Sequence, residues 1–154
     1  KTHRAVVFLD PFGMQVTWET IKAIAKTKAI DLWILFPLGS GVGRLLRRDG
    51  NIEENLKAKL DQLFGEKDWY DAFYQKKTQT TLFGEETKVE KIASYDLISK
   101  YFVKRLRTIF PEVAPNPLPL TNSKNVPLFL LCFAAGNEKG GKTAVKIAKD
   151  ILGK

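Results

Sequence analysis

The sequence predicts one α/β domain of 154 residues, with a mostly parallel sheet, flanking helices and a C-terminal hairpin. Apolar runs at residues 5–9, 29–37 and 127–135, the second interrupted only by Asp31, are typical of strands buried on both faces of a sheet. Helical spacing over residues 18–28, with Thr17 as the N-cap, separates the first two runs. A strand, a helix and a strand at this spacing form a right-handed crossover, so the first two strands are predicted to be parallel neighbours.

The first predicted strand, residues 5–9, is followed by Asp10, Pro11, Phe12 and Gly13. Pro11 has no backbone N–H, so strand pairing ends there, and Gly13 permits a sharp turn. Ligands of open α/β sheets bind at the carboxyl ends of the strands, which makes Asp10 a candidate site acid at the rim of the sheet. Phe12 would place its ring over the same crevice. An ordinary Asp-Pro turn is the alternative interpretation.

A basic turn is predicted beyond the second strand. The glycines there alternate and do not match the dinucleotide-binding pattern, whereas Arg44, Arg47 and Arg48 follow on a short helical turn. Arginines at such a rim can clamp a phosphate. The alternative is a solvated basic turn whose charge is countered by Asp49.

The middle of the chain predicts an aromatic segment and then a polar loop. Trp69, Tyr70, Phe73 and Tyr74 have helical spacing, which indicates a packing face or, less directly, a base-stacking platform. Residues 76–90 are rich in Thr, Lys and Glu and predict a loop that can act as a lid. In this loop, Leu82 and Phe83 are expected to anchor it or to contact a ligand.

A long helix is predicted over residues 91–109, with Lys100, Lys104 and Arg107 along one face. Such a stripe can track phosphates, or it can be a solvated face with cations near the helix C-terminus. After it, an edge strand over 115–121 and the strand at 127–135 predict the hairpin. The last helix is predicted over 142–152, with four residues buried: Ala144, Ile147, Ala148 and Ile151.

Residues 136–143 match G-x-x-x-x-G-K-[ST], the loop that cradles nucleotide phosphates. A P-loop ATPase needs further parallel strands and a second acid for magnesium after the following helix, and the sequence shows neither. We therefore interpret the match as a glycine-rich helix start in which Lys142 is fortuitous.

The overall composition favours an anionic partner. The formal net charge is +8 and the pI is about 9.6, which is typical of proteins that bind nucleic acid or nucleotides. A single cysteine, Cys132, cannot form an internal disulfide, so a reducing, cytoplasmic setting is expected. No apolar run reaches the roughly 18 residues of a membrane span, so no membrane association is predicted.

Four segments resemble the three-Cys-motif partner protein family (TcmP). They are residues 8–14, residues 31–39, residues 117–123 and residues 131–137. Members of this family, mostly prokaryotic, resemble class I S-adenosylmethionine-dependent methyltransferases, which implies a Rossmann-like sheet and a three-Cys-motif protein as partner. On that mapping the chain resembles the C-terminal half of such a domain, incomplete at its N-terminus, with the cofactor site expected upstream.

The resemblance implies roles for Asp10, Pro11, Phe12 and Gly13 as the acceptor site of an amino-group methyltransferase. They stand where such enzymes carry Asp-Pro-Pro-Tyr, in which the acid or its neighbouring carbonyl accepts from the target amine. Phe12 stands one position earlier than the stacking ring of that motif. The competing hypothesis is a non-enzymatic module that binds nucleic acid or an acidic protein through the basic residues named above.

Overall fold

The computed structural model describes residues 3–10, 13–82 and 84–153. The strands are β1 (Ala5–Leu9), β2 (Ile30–Phe36), β3 (Tyr74–Thr81), β4 (Gly84–Lys91), β5 (Glu112–Val113), β6 (Leu118–Thr121) and β7 (Pro127–Ala135). The helices are α1 (Trp18–Lys26), α2 (Gly43–Leu45), α3 (Glu54–Phe64), α4 (Trp69–Phe73), α5 (Tyr95–Leu106) and α6 (Glu138–Leu152), with a π-helical turn at Leu38–Val42. None of the helices in these ranges has the length and apolar character needed to cross a bilayer.

One mixed sheet organises the fold. Its strands run in the order β1, β2, β7, and both β5 and β6 pair with the far side of β7. β1 and β2 are parallel, with Ala5 opposite Ile30 and Leu9 opposite Ile34. β7 is antiparallel to β2, β5 and β6, so the C-terminal hairpin is confirmed and the β1–β2 pair is the parallel part of the sheet. The α/β class and the parallel pairing of the first two strands are confirmed, but the predicted mostly parallel sheet is a mixed one, because β7 pairs antiparallel with each of its three neighbours.

The two faces of the sheet carry separate cores. On one face, the buried side chains of β2 pack against α1, α3, α4 and α5. Phe36 stacks on Phe102 with ring centroids 4.0 Å apart, which ties the centre of the sheet to α5. On the other face, Phe133 and Ala135 of β7 pack under α6. The large aromatic core thus fixes the end of β2, from which the chain enters the rim.

β1 is an edge strand with one exposed face, so the prediction that it is buried on both faces is wrong. Val7 and Leu9 pack against the larger core, whereas Val6 and Phe8 on the other face are 67% and 56% exposed. The reason is that α6 packs chiefly on β7 and β5, and Val6 and Phe8 are not part of the core beneath it. At this edge of the sheet, a continuous apolar run therefore does not indicate a strand that is buried on both faces.

The described residues of the predicted loop at 76–90 form a β-ribbon of β3 and β4, so the predicted loop is wrong. β3 and β4 pair from Tyr74 opposite Lys91 to Thr81 opposite Gly84. Nearly all of the ribbon is solvent-exposed and its side chains are polar on both faces, so it lacks the apolar alternation that marks a strand. Leu82 is fully exposed and anchors nothing, and Phe83 lies outside the described residues.

The ribbon is held at its base. The Tyr74 hydroxyl donates to the carbonyl oxygen of Arg47 at 2.8 Å, and Nζ of Lys91 donates to that of Leu46 at 3.1 Å. Burial raises the pKa of Tyr74 to about 12, and burial followed by the charge of Arg48 lowers the pKa of Lys91. These contacts fix the ribbon to the segment that follows the rim.

α6 begins four residues earlier than predicted; Ala148 is buried and Ala144 packs against the core as predicted, but the two isoleucines predicted to be buried are exposed. Asn137 caps it, its side-chain oxygen accepting from the Gly140 backbone N–H at 3.1 Å. The buried residues are Gly141, Val145, Ala148 and Leu152. Ile147 and Ile151 are instead 59% and 49% exposed. The close approach at Gly141, where a Cβ would lie 2.9 Å from Cγ of Glu112, sets this rotation of the helix.

Candidate functional site at the sheet rim

The candidate site lies at the edge of the sheet where β1 and β2 end and β7 begins. Asp10 follows β1, and residues 38–45, which we call the rim segment, follow β2. The backbone N–H of Val42 donates to the carbonyl oxygen of Pro37 at 2.9 Å and closes the π-helical turn. This edge is the one at which a parallel pair presents its ligand-binding side.

The glycines of the rim segment serve close packing. A Cβ on Gly39 would overlap the carbonyl oxygen of Pro127, and a Cβ on Gly43 would lie 2.9 Å from Cε1 of Tyr95. On the other side, a Cβ on Gly41 would lie 3.0 Å from Cγ of Met14. The rim segment is therefore wedged between the turn after β1 and the start of β7, and it separates two cavities.

The first cavity, which we call the acid-side cavity, has a volume of about 390 Å³. It is lined by Gly13, Met14, Ser40, Gly41, Arg44, Leu45, Leu56 and Lys59. Asp10 is exposed at the end of β1 and forms no ion pair with another described residue, while Gly13 turns the chain with φ of +65°. Pro11 and Phe12 lie outside the described residues, so their predicted roles stay predictions.

The second cavity, the proline-walled cavity, has a volume of about 410 Å³. It is lined by Leu38, Tyr95, Asp96, Ser99, Lys100, Val103, Arg107, Pro115, Pro117, Pro119, Pro127 and Leu130. Nζ of Lys100 pairs with Oδ2 of Asp96 at 2.7 Å, and both side chains are largely exposed. Arg107 forms no ion pair within the described part of the chain.

The structure distributes the predicted basic residues over several places. Arg44 lines the acid-side cavity, but Nε of Arg47 pairs with Oδ1 of Asp49 at 3.4 Å, and Arg48 lies beside Lys91 at the ribbon base. The three arginines thus do not converge on one phosphate-sized position. Along α5, Lys100 and Arg107 line the proline-walled cavity, whereas Lys104 does not.

One cation that sequence reasoning missed is Arg105. Its Nη1 pairs with Oε2 of Glu66 at 2.8 Å, its Nε donates to the carbonyl oxygen of Phe64 at 3.0 Å, and its guanidinium lies 4.6 Å from the Trp18 ring centroid. The available signal was its position, one residue before the buried Leu106, among apolar residues of the helix. Arg105 is structural, and it fixes α5 against α3.

The aromatic segment is a packing face. Trp69 and Phe73 are buried, and Nε1 of Trp69 donates to Oδ1 of Asp61 at 2.7 Å. Tyr70 and Tyr74 stack on each other with centroids 4.7 Å apart beside Gly50. Because Trp69 and Phe73 present no open ring face, the base-stacking alternative does not hold for them.

The P-loop match does not form a phosphate loop. The segment from Glu138 onward is helical, so Gly140 and Gly141 lie within α6. The backbone N–H of Gly136 donates to Oδ1 of Asp31 at 3.0 Å, and a Cβ there would overlap the carbonyl oxygen of Ile30. The interpretation as a glycine-rich helix start is confirmed. Cys132 is likewise inert, since complete burial raises the pKa of its thiol.

The described residues do not fit an S-adenosylmethionine site. Both glycine-rich segments are packed against protein, at the rim segment and at the start of α6, and neither leaves a cradle for a cofactor. Asp31, an acid on the neighbouring strand, is already bonded to the backbone of Gly136. What the rim offers is a carboxylate, two cavities and several cations.

No family model, curated protein or solved structure matches this chain.

Proposed function

We propose that this chain forms the acceptor side of an S-adenosylmethionine-dependent methyltransferase that acts on an amino group. The observation that carries the proposal is the position of Asp10, an exposed carboxylate without a described ion-pair partner, at the carboxyl end of the parallel β1–β2 pair. Asp10 is not itself a lining residue of the acid-side cavity, but it precedes by three residues in sequence Gly13, which lines that cavity together with Met14. The resemblance to the three-Cys-motif partner family supports the same assignment and suggests a three-Cys-motif protein as partner.

The chemistry assigned to this chain is orientation of the acceptor. A carboxylate accepts a hydrogen bond from an amine N–H, which directs the nitrogen lone pair away from the acid, and it accepts a proton as the nitrogen gains a substituent. Positioning of this kind supplies much of the rate effect in a transfer between two bound groups. The methyl donor would bind outside the described residues.

The test measures the rate at which the protein, as it occurs in the cell, transfers radiolabelled methyl groups. The acceptors are amino groups of DNA, of RNA and of proteins. We expect Asp10→Asn to lower the rate by about 10²-fold or more, the usual effect of removing a general base. Asp49→Asn is the matched control, because Asp49 is an exposed acid paired with Arg47 away from the rim, and its rate should be unchanged. Equal rates for both variants, or no transfer to any acceptor, would contradict the proposal.

A non-catalytic module that binds nucleic acid is the second candidate. The observation that favours it is the pair of cations, Arg44 and Lys59, at the acid-side cavity. Each phosphate contact changes the slope of log affinity against log salt concentration by about 0.9 for duplex DNA. A double Arg44→Gln, Lys59→Gln variant should therefore reduce the slope by nearly two, whereas an unchanged slope would exclude phosphate contacts there.

A further inference from the structure

The proline-walled cavity has the features of a small-ligand site. Its volume of about 410 Å³ falls in the range of roughly 300–1,000 Å³ that is usual for such sites. Val103 and Leu130 are buried at its floor, and the four prolines add rigid apolar walls. Pro119 lies in β6, Pro127 and Leu130 lie in β7 and Val103 lies in α5, so regular elements hold the floor and half of the proline wall in place.

The polar side chains of the cavity come from α5 and from Arg107, the C-cap residue of that helix. Tyr95, Ser99, Val103 and Arg107 recur every four residues and so lie along one side of the helix. Tyr95 lies against Gly43 of the rim segment at one end, and Arg107 caps the C-terminus of α5 at the other. Asp96 and Lys100 stand between them as a mutually neutralising pair. Arg107 is therefore the uncompensated positive charge of the cavity.

These features select a ligand with a flat apolar body, polar edges and one anionic group. The apolar walls favour the body, and the Tyr95 hydroxyl, the Asp96 carboxylate and the Lys100 ammonium can bond polar edges of a ring. A guanidinium binds phosphate oxygens in a bidentate geometry, so Arg107 suits a phosphate. We propose that the proline-walled cavity binds a nucleoside monophosphate group, with the base against the prolines and the phosphate on Arg107.

The proline-walled cavity is separate from the site that we propose for methyl transfer. The cavity lies across the rim segment from the acid-side cavity, and the two linings share no residue. Binding is measurable without a methyl donor. Loss of methyl transfer should therefore leave nucleotide binding intact, and the Asp10→Asn variant should bind nucleotide as tightly as the wild type.

Calorimetric titration of the full chain with each of the four 5′-ribonucleoside monophosphates tests the proposal. We expect saturable binding of at least one, with the matching nucleoside and inorganic phosphate each about tenfold weaker or more, since each fills half of the cavity. In a second titration, the ligand is a 5′-phosphorylated single-stranded hexanucleotide. Tighter binding of the hexanucleotide identifies the source as a nucleic acid strand, and tighter binding of the mononucleotide identifies a free nucleotide. No saturation by either probe up to about 1 mM would overturn the proposal.

Two variants locate the binding. Arg107→Gln should weaken binding about tenfold or more, because a hydrogen-bonded charge is lost. Lys104→Gln is the matched control, since it removes the same charge from the same helix outside the cavity lining, and should change affinity less than about twofold. Ser99→Phe should fill the cavity and abolish nucleotide binding while inorganic phosphate still binds Arg107. Equal effects of the Arg107 and Lys104 variants would overturn the proposal.

Discussion

Arg105 on α5 and Arg107, the C-cap residue that follows that helix, are predicted to respond differently to substitution by glutamine. Arg105 lies in a half-buried cluster, and its side chain and that of Glu66 are only 15% and 27% exposed. Tyr101 completes the cluster, its hydroxyl donating to Oε1 of Glu66 at 2.5 Å, and burial followed by this bond raises its pKa. Arg107 is exposed and has no described ion-pair partner. Arg105→Gln should destabilise the fold, and Arg107→Gln should not.

The expected magnitude follows from the contacts that Arg105 makes. A hydrogen bond from a charged donor to the Phe64 carbonyl contributes about 1.5 kcal/mol, and the contact with the Trp18 ring about 0.5 kcal/mol. The ion pair with Glu66 is shielded from solvent more than a surface pair and adds a fraction of a kcal/mol. The sum is about 2 kcal/mol, which for a chain of this length lowers Tm by about 4–8 °C.

Thermal and urea unfolding of the two variants measure this difference. Arg107→Gln should remain within about 0.5 kcal/mol of the wild type, as is usual for an exposed side chain. A double-mutant cycle of Arg105→Gln with Glu66→Gln should give a coupling energy of at least about 0.5 kcal/mol. Equal Tm values for the two arginine variants, or additive effects in the cycle, would refute the assignment of Arg105 to the core.

Three further predictions concern stability. Gly140→Ala should raise the free energy of unfolding by about 0.5–1 kcal/mol, because the residue is helical and a Cβ there would meet only the end of the flexible Arg4 side chain, Nη1 at 3.3 Å. A lower free energy of unfolding in urea would instead indicate that the residue lies in a loop. Gly65→Ala should cost at least about 1–2 kcal/mol, because φ is +70° and a Cβ would overlap the Trp18 ring, and an unchanged Tm would disprove this packing. Folding raises the pKa of Tyr74 from 10.0 to about 12, so the folded state holds the phenol proton more tightly than the unfolded chain does. The protonated phenol therefore stabilises the fold below pH 10, and this contribution is lost between pH 10 and 12. Tyr74→Phe should lessen the alkaline decline in stability over that range, and parallel curves for the two proteins would contradict it.

The parts of the fold that could be predicted from sequence are those in which local chemistry and tertiary packing agree. Thr17 caps α1, and its side chain accepts from the Thr20 backbone N–H as the pattern predicts. The apolar runs of β2 and β7 mark central strands with buried side chains, and the turn that begins at Asn122 joins β6 to β7. In each case the residues that give the sequence pattern also make the contacts that stabilise the element.

The failures arise where distant residues decide the outcome. β3 and β4 are defined by cross-strand pairs, such as Thr78 with Thr87, that have no period along either strand alone. The rotation of α6 depends on the approach of Gly141 to Glu112, which sequence spacing does not encode. In the candidate site, the position of Asp10 at the rim could be predicted because Asp10 directly follows β1. The cavity that Lys100 and Arg107 line could not be predicted, because its walls come from segments that are distant in sequence.

The outer edge of β1 has a physical consequence for the protein in solution. No described strand pairs with that edge, so its backbone N–H and C=O groups face outward beside the exposed side chains of Val6 and Phe8. Such an edge is a template on which an extended segment of another chain can add as a new strand. Neither proline nor lysine interrupts Ala5–Leu9, the devices that commonly block this addition. Among the described strands, this edge is therefore the place at which an added strand can pair, whereas the net charge of +8 opposes the approach of another copy of the chain.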